Sequence, residues 1–159
     1  VAPLAAAATR AAAAHNRDRR APWRRVGLTI PVGGPDVLGN VSTHRRLDLP
    51  ADADIAAAVQ VALATADEPV EAGGPSVLLR LLGPIIDRFS DSLLVSNLGL
   101  VDLPGATAVD FYPQARGRSA VAIGACSVAG GERTLTLRAR DLDDTDAAAL
   151  LDAVIANLP

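Results

Sequence analysis

The chain has 159 residues, half of them hydrophobic but only 3% aromatic, and a formal net charge of −3. One domain over 1–159 with a core of Ala, Val, Leu and Ile is the expectation. The mild charge argues against a dedicated nucleic-acid binder, which carries a strong basic bias. All 15 basic residues are Arg, which reads as GC-rich coding rather than chemistry. Cys126 is alone, which excludes an intrachain disulfide and a cysteine zinc cluster; its strand-like flanks predict a buried, inert thiol. No uninterrupted apolar run of roughly 18 residues occurs, so no membrane span is expected. Leu4–Ala14 makes no convincing signal peptide, so a cytoplasmic location is expected. The chain opens on Val rather than Met, which points to processing or to a piece of a longer polypeptide.

Residues 1–25 read as a helix and an Arg-rich linker, and 26–159 as sheet and helices. Pro3–Asn16 is a helix through its alanines, thin enough to pack closely. Arg17, Arg19, Arg20, Arg24 and Arg25 follow, and Pro22 stops the helix there. Such a cluster suits an anion site or a hydrated linker, and the linker is favoured. Trp23 either anchors that linker on the core or lines a cleft, packing being favoured. Arg25–Val32 is a strand with Val26, Leu28 and Ile30 on one face. Gly33–Asp36 is a loop, Leu38-Gly39-Asn40 follows, and Val41–Leu49 is a second strand. His44 on that strand has no identifiable partner, so a packing or surface role is favoured over a general base.

Asp52 or Asp54 caps a helix whose stripe is Ile55, Ala58, Val59, Ala62, Leu63 and Ala66. Asp67–Pro75 is a linker. Val77–Ser90 is apolar but interrupted by Gly83-Pro84, which predicts two short helices or one kinked helix.

Leu93–Asp110 is the stretch the rest supports. Leu93–Val95 reads as a strand buried on both faces that ends at Ser96-Asn97. A hydroxyl and an amide at a strand end can stabilise a developing oxyanion. They are also ordinary turn chemistry, bonding their own backbone, and the residues alone favour that plainer reading. Leu103-Pro104-Gly105 signals a type II turn. Thr107–Tyr112 is predicted as a strand with Val109 and Phe111 on one face, and Gln114–Arg118 as a polar loop. Ala120–Val128 and Arg133–Arg140 are strands joined through Ala129-Gly130-Gly131-Glu132 as a hairpin. Leu135 and Leu137 alternate with Thr134, Thr136 and Arg138. Asp144 caps a last helix striped by Ala147, Leu150, Leu151, Val154, Ile155 and Leu158.

This order predicts an α+β fold, a mixed β-sheet with helices packed on one face. No dinucleotide fingerprint, phosphate loop or nucleophile elbow is present. His15 and His44 have no metal-ligand spacing, so no metal is expected. Asp141, Asp143, Asp144 and Asp146 precede a helix, where carboxylates suit the dipole, and lack the spacing of a calcium loop.

Ile30-Pro31-Val32, Leu38-Gly39-Asn40, Val95-Ser96-Asn97-Leu98-Gly99 and the hairpin-then-helix finish, in that order, resemble the C-terminal lobe of the CoA-dependent acyltransferase superfamily. That superfamily includes chloramphenicol acetyltransferase, condensation domains, and polyketide-associated and wax-ester-type acyltransferases. The resemblance implies a chloramphenicol acetyltransferase-like single lobe, half of a two-lobed enzyme with a channel between the lobes. The family's base is the second His of a His-His-x-x-x-Asp-Gly motif in the first lobe. The counterpart here is Arg138-Ala139-Arg140-Asp141-Leu142-Asp143-Asp144, with Ala139 where the base would stand and Asp143 matching the structural Asp. The family's Arg after the Pro-Val strand is replaced by Gly33-Gly34. The resemblance gives Ser96 an oxyanion-stabilising role and makes Asn97, Gly99 and Asn40 substrate contacts.

The function this implies is one half of an acyltransferase or condensing enzyme. An acyl group would pass from CoA or a phosphopantetheinyl carrier-protein thioester to an alcohol or amine, with no bound cofactor. The expected partner is a His-bearing N-terminal lobe or another subunit, with a carrier protein as a further candidate. The alternatives are a non-catalytic binding or assembly module of the same shape, and an unrelated domain that self-associates through a sheet edge.

Overall fold

The computed structural model of the chain describes residues 1–22, 24–33, 42–50, 52–65, 92–114 and 121–159. Trp23, Leu38-Gly39-Asn40, the expected linker over 67–75, the expected interrupted helix over 77–90 and all but the first residue of the expected loop over 114–118 lie outside them.

Helix α1 (Ala2–Asp18) runs two residues beyond the predicted Asn16. Pro3 sits in its first turn, where a missing N–H leaves no bond unmade. Ala5, Ala7 and Ala8 are fully buried. Side chains of one carbon let the helix axis approach its neighbours closely, as the composition predicts. Thr9, also buried, donates its hydroxyl to the Ala5 carbonyl at 2.8 Å, so the hydroxyl is not left unpaired.

Strands β1 (Arg25–Gly33), β2 (Ser42–Pro50), β3 (Leu93–Val101), β4 (Val121–Val128) and β5 (Arg133–Ala139) form one sheet in the order β2-β1-β3-β4-β5. β1 with β2 and β4 with β5 pair antiparallel, while β3 lies parallel to both β1 and β4. The sheet is therefore mixed, as expected. Val26, Leu28 and Ile30 of β1 share a core with Val95 of β3 and Ile123 of β4. The same core takes Ile55 and Val59 from α2 (Ile55–Ala64) and Leu150 and Val154 from α3 (Asp144–Ala156). These three helices thus lie on one face, with α1 packed against both α2 and α3. β4 is buried on both faces, including Ala122 and Cys126, which explains its nearly unbroken apolar run.

The helix starts follow from their caps. Asp54 accepts the Ala57 N–H at 3.0 Å. At α3 the cap is Asp143, which accepts from Asp146 N–H at 2.8 Å, one residue before the predicted Asp144. Asp144 instead opens the helix, and both positions suit the positive end of the dipole. The apolar stripes are narrower than predicted: Leu63 and Ile155 are exposed, because the buried contacts are Ile55 and Val59 of α2 and Leu150 and Val154 of α3, with Ala56 and Ala153 packed part-buried beside them. The expected Leu103-Pro104-Gly105 turn forms, with Gly105 at φ 83° and Ala106 N–H bonded to the Leu103 carbonyl at 3.1 Å. The β4–β5 hairpin also forms, closed by Val128 N–H to the Glu132 carbonyl at 3.1 Å.

The predicted strand over Thr107–Tyr112 does not form. Its carbonyls are taken another way. Glu132 N–H donates to Thr107, and the hydroxyls of Thr134 and Thr136 donate to Val109 and Phe111. Alternation puts Thr134 and Thr136 on the face of β5 opposite Leu135 and Leu137. The segment 107–113 is therefore a strap across the sheet face away from the helices. Side-chain hydroxyls satisfy the backbone where a ladder would otherwise do so. Gly124 makes room for it: a Cβ there would collide with the Phe111 carbonyl oxygen, Thr136 Oγ1 and Pro113 Cδ.

Candidate functional site

β3 does not end at Ser96-Asn97 but continues to Val101 through an irregularity. Ser96 pairs with Gly124 and Asn97 with Ala125, then the register shifts and Leu100 pairs with Ser127. Gly99 supplies the left-handed residue of this bulge, at φ 73°, a conformation that costs a Cβ-bearing residue energy. Asn97 Oδ1 accepts the Gly99 N–H at 2.8 Å. The turn chemistry expected of Asn97 is present, inside a strand rather than beyond its end.

The strand's alternation separates the two polar residues. Ser96 is buried, 7% exposed, on the face that carries Gly124, Thr136 and the strap. Asn97 is on the helix face, where it and Gly99 border a cleft of about 460 Å³. Leu4 from α1 and Ala125 and Leu135 from the sheet supply apolar wall. The structure thus brings Asn97 and Gly99 together and holds Ser96 apart from them. Asn40 lies outside the described residues.

Two polar residues of this cleft were not singled out by the sequence. Ser127 and Arg133 both line it, and Arg133 Nε donates to Ser127 Oγ at 3.4 Å. The period of two carried the signal, since Arg133 is two positions before inward-facing Leu135 and Ser127 two after Ala125. Cys126, by contrast, is buried as expected.

The β5–α3 junction carries Ala139 and Asp143, the two positions that the resemblance singles out. β5 ends at Ala139, and Asp143 is spent on capping α3. A smaller cavity of about 220 Å³ lies there, lined by His15, Asn16, Arg19 and Asp141 among others. Among the described residues, His15 Nε2 is buried without a hydrogen-bond partner. Arg19 pairs with Asp146; that hydrogen bond holds the Asp146 carboxyl below its ordinary range and raises the Arg19 guanidinium. Arg25 pairs with Asp48 at 3.0 Å, so two of the five clustered arginines make surface ion pairs. His44 is exposed on β2. Among the described residues, no group of three or more His, Cys, Asp or Glu is placed to hold a metal, and no helix is long and apolar enough to cross a membrane.

Two solved structures share this architecture over nearly the whole chain. One is a chain from work on condensation domain-mediated chain release from the enacyloxin polyketide synthase. It has a TM-score of 0.57 and 17% identity, over 99% of this chain and 35% of that one. The other is the epimerization domain from the third module of tyrocidine synthetase B, with a TM-score of 0.54 and 14% identity, over 98% of this chain and 40% of that one. The chain has a condensation-domain-like fold. At these identities the likeness is one of fold, and the condensation-like chain spans well under half the length of either neighbour. No protein-family model and no curated protein matches the sequence.

Proposed function

We propose that this condensation-like chain supplies one wall of an acyl-transferring or condensing chamber, with the general base on a separate His-bearing N-terminal lobe or subunit. The observation that carries this reading is its fold. It matches, end to end, about a third to two fifths of proteins from multidomain synthases. The β5–α3 junction supports the second half of the statement, because Ala139 has no atom that can accept a proton.

In this reading the donor is an acyl thioester on CoA or on a phosphopantetheinyl carrier protein, and the acceptor is an alcohol or amine. The base on the other lobe deprotonates the acceptor, which attacks the thioester carbonyl; the tetrahedral intermediate then collapses with cleavage of the C–S bond, and the departing CoA or carrier thiolate takes the proton back from the base. Before that collapse the tetrahedral oxyanion needs a donor already in place. Ser96 is the candidate for that hydroxyl, on the strap side of β3. Asn97 and Gly99, on the opposite face of β3, are contacts for a part of the substrate away from the reacting carbonyl, and Asn40 is a further contact. The chain binds no cofactor of its own, folds as one domain and acts in the cytoplasm.

A second reading, a non-catalytic binding or assembly module, is favoured by one detail: Asn97 Oδ1 is already committed to Gly99 N–H. Acyl transfer measured with the chain alone and with a His-bearing lobe added separates the two. Transfer only in the combined assembly supports a shared chamber; no transfer in either leaves the binding module.

A further inference from the structure

The cleft bordered by Asn97 is mostly apolar, and of its polar side chains Asn97 and Arg133 have donors to spare while the Ser127 hydroxyl can both donate and accept. Asn97 Oδ1 is occupied by Gly99 N–H, so the side chain has its NH₂ left to offer; among the described residues nothing accepts from it. Arg133 spends one N–H on Ser127 Oγ and, among the described residues, has no carboxylate partner. Arg133 is exposed, and among the described residues its remaining N–H groups have no partner. The rest of the lining includes Leu4, Ala125, Leu135 and Leu158, together with Val1 and Pro159. A cleft of this volume, mostly apolar with a few convergent polar groups, has the make-up of a small-molecule site.

We infer that this cleft binds an amphipathic anion, a hydrocarbon chain ending in a carboxylate, with the carboxylate on Arg133 and Asn97 and the chain along Leu4, Ala125 and Leu135. The charge decides the ligand class. A guanidinium without a counter-charge beside an apolar wall favours a planar anionic oxygen pair, which it can bind through two parallel N–H donors. A neutral alcohol would fill the same wall but leave that donor pair without an anion. This does not rest on the acyl-transfer reading, because it asks for binding alone and involves neither Ser96 nor a base.

The test is binding of decanoate and of decan-1-ol to the 159-residue chain by calorimetry, with chemical-shift mapping of the Asn97 and Arg133 side chains. Decanoate is expected to bind more tightly than decan-1-ol. Arg133→Gln should weaken decanoate by roughly ten- to a hundredfold while leaving decan-1-ol unchanged, and Arg133→Lys should restore part of the loss. Ala125→Leu should weaken both ligands by filling the wall, with the thermal midpoint checked to confirm that the variant is folded. Equal affinity for the two ligands, no effect of Arg133→Gln, or no decanoate binding would overturn the inference.

Discussion

Ser96 stands directly opposite Gly124 in the parallel β3–β4 ladder, and Gly124 in turn pairs with Thr136 of β5. The row leaves a gap at its centre, and the 107–113 strap fills it, with Phe111 held by the Thr136 hydroxyl. The polar residue on which the catalytic reading depends thus shares a sheet face with a crossing segment of its own chain.

Gly124→Ala should therefore destabilise the protein although glycine is normally a poor strand residue. The added methyl would meet backbone and a proline ring rather than a flexible tip. Overpacking of this kind costs about 1–3 kcal/mol. Urea unfolding of the variant checks it, and a gain in stability, as expected for an ordinary strand glycine, would contradict the strap's position.

Thr136→Val should cost about 1–3 kcal/mol, because it leaves the Phe111 carbonyl without its donor in a part-buried place. Thr136→Ser keeps the hydroxyl and should recover most of that loss. Equal stability of the valine variant and the wild type in urea would show that the hydroxyl does not hold the strap.

Ala8→Leu probes the packing of the alanine-rich helix in the core. Ala8 is completely buried, so the extra side-chain atoms have no space, and a loss of about 1–3 kcal/mol is expected. Ala156→Leu, at an exposed position of α3, should stay within about 0.5 kcal/mol of wild type. Thermal melts of the pair make the comparison.

The Arg19–Asp146 pair ties the end of α1 to the start of α3 and gives a pH dependence of known sign. The hydrogen bond from Arg19 lowers the Asp146 carboxyl. A depressed carboxylate contributes stability that is present above its unfolded value, about pH 4, and lost as pH falls through the lower folded value. Arg19 is raised and stays charged throughout the neutral and acid range, so the loss in acid follows the protonation of Asp146. The gap in melting temperature between wild type and Asp146→Asn should be small, as for exposed pairs, and should close as the pH drops below about 4. A gap that holds constant into that range would contradict the pairing.

Much of this architecture was legible in the residues. Val26, Leu28 and Ile30 alternate, Asp54 precedes a helical stripe, and Ala129–Glu132 carries the glycines of a hairpin; each is local, and each formed. Thr107–Tyr112 has strand-forming residues but no ladder. Its partners are Thr134 and Thr136, some 25 residues on, and no local pattern tells a face-crossing strap from a strand. The site was legible in part. Asn97 was found as turn chemistry and sits on a cleft, but the bulge at Gly99 depends on the register against β4. Arg133 escaped notice because its importance comes from what Ser127 and Leu135 place beside it.

The most direct measurement of the central claim is acyl transfer from a CoA or carrier-protein thioester to an alcohol or amine. It is run with the chain alone, with a His-bearing lobe added, and with that assembly carrying Ser96→Ala. The account predicts no turnover by the chain alone and turnover in the assembly. The Ser96→Ala assembly should lose about a hundred- to a thousandfold with an unchanged melting temperature. Turnover by the isolated chain, or an assembly indifferent to Ser96→Ala, would contradict it.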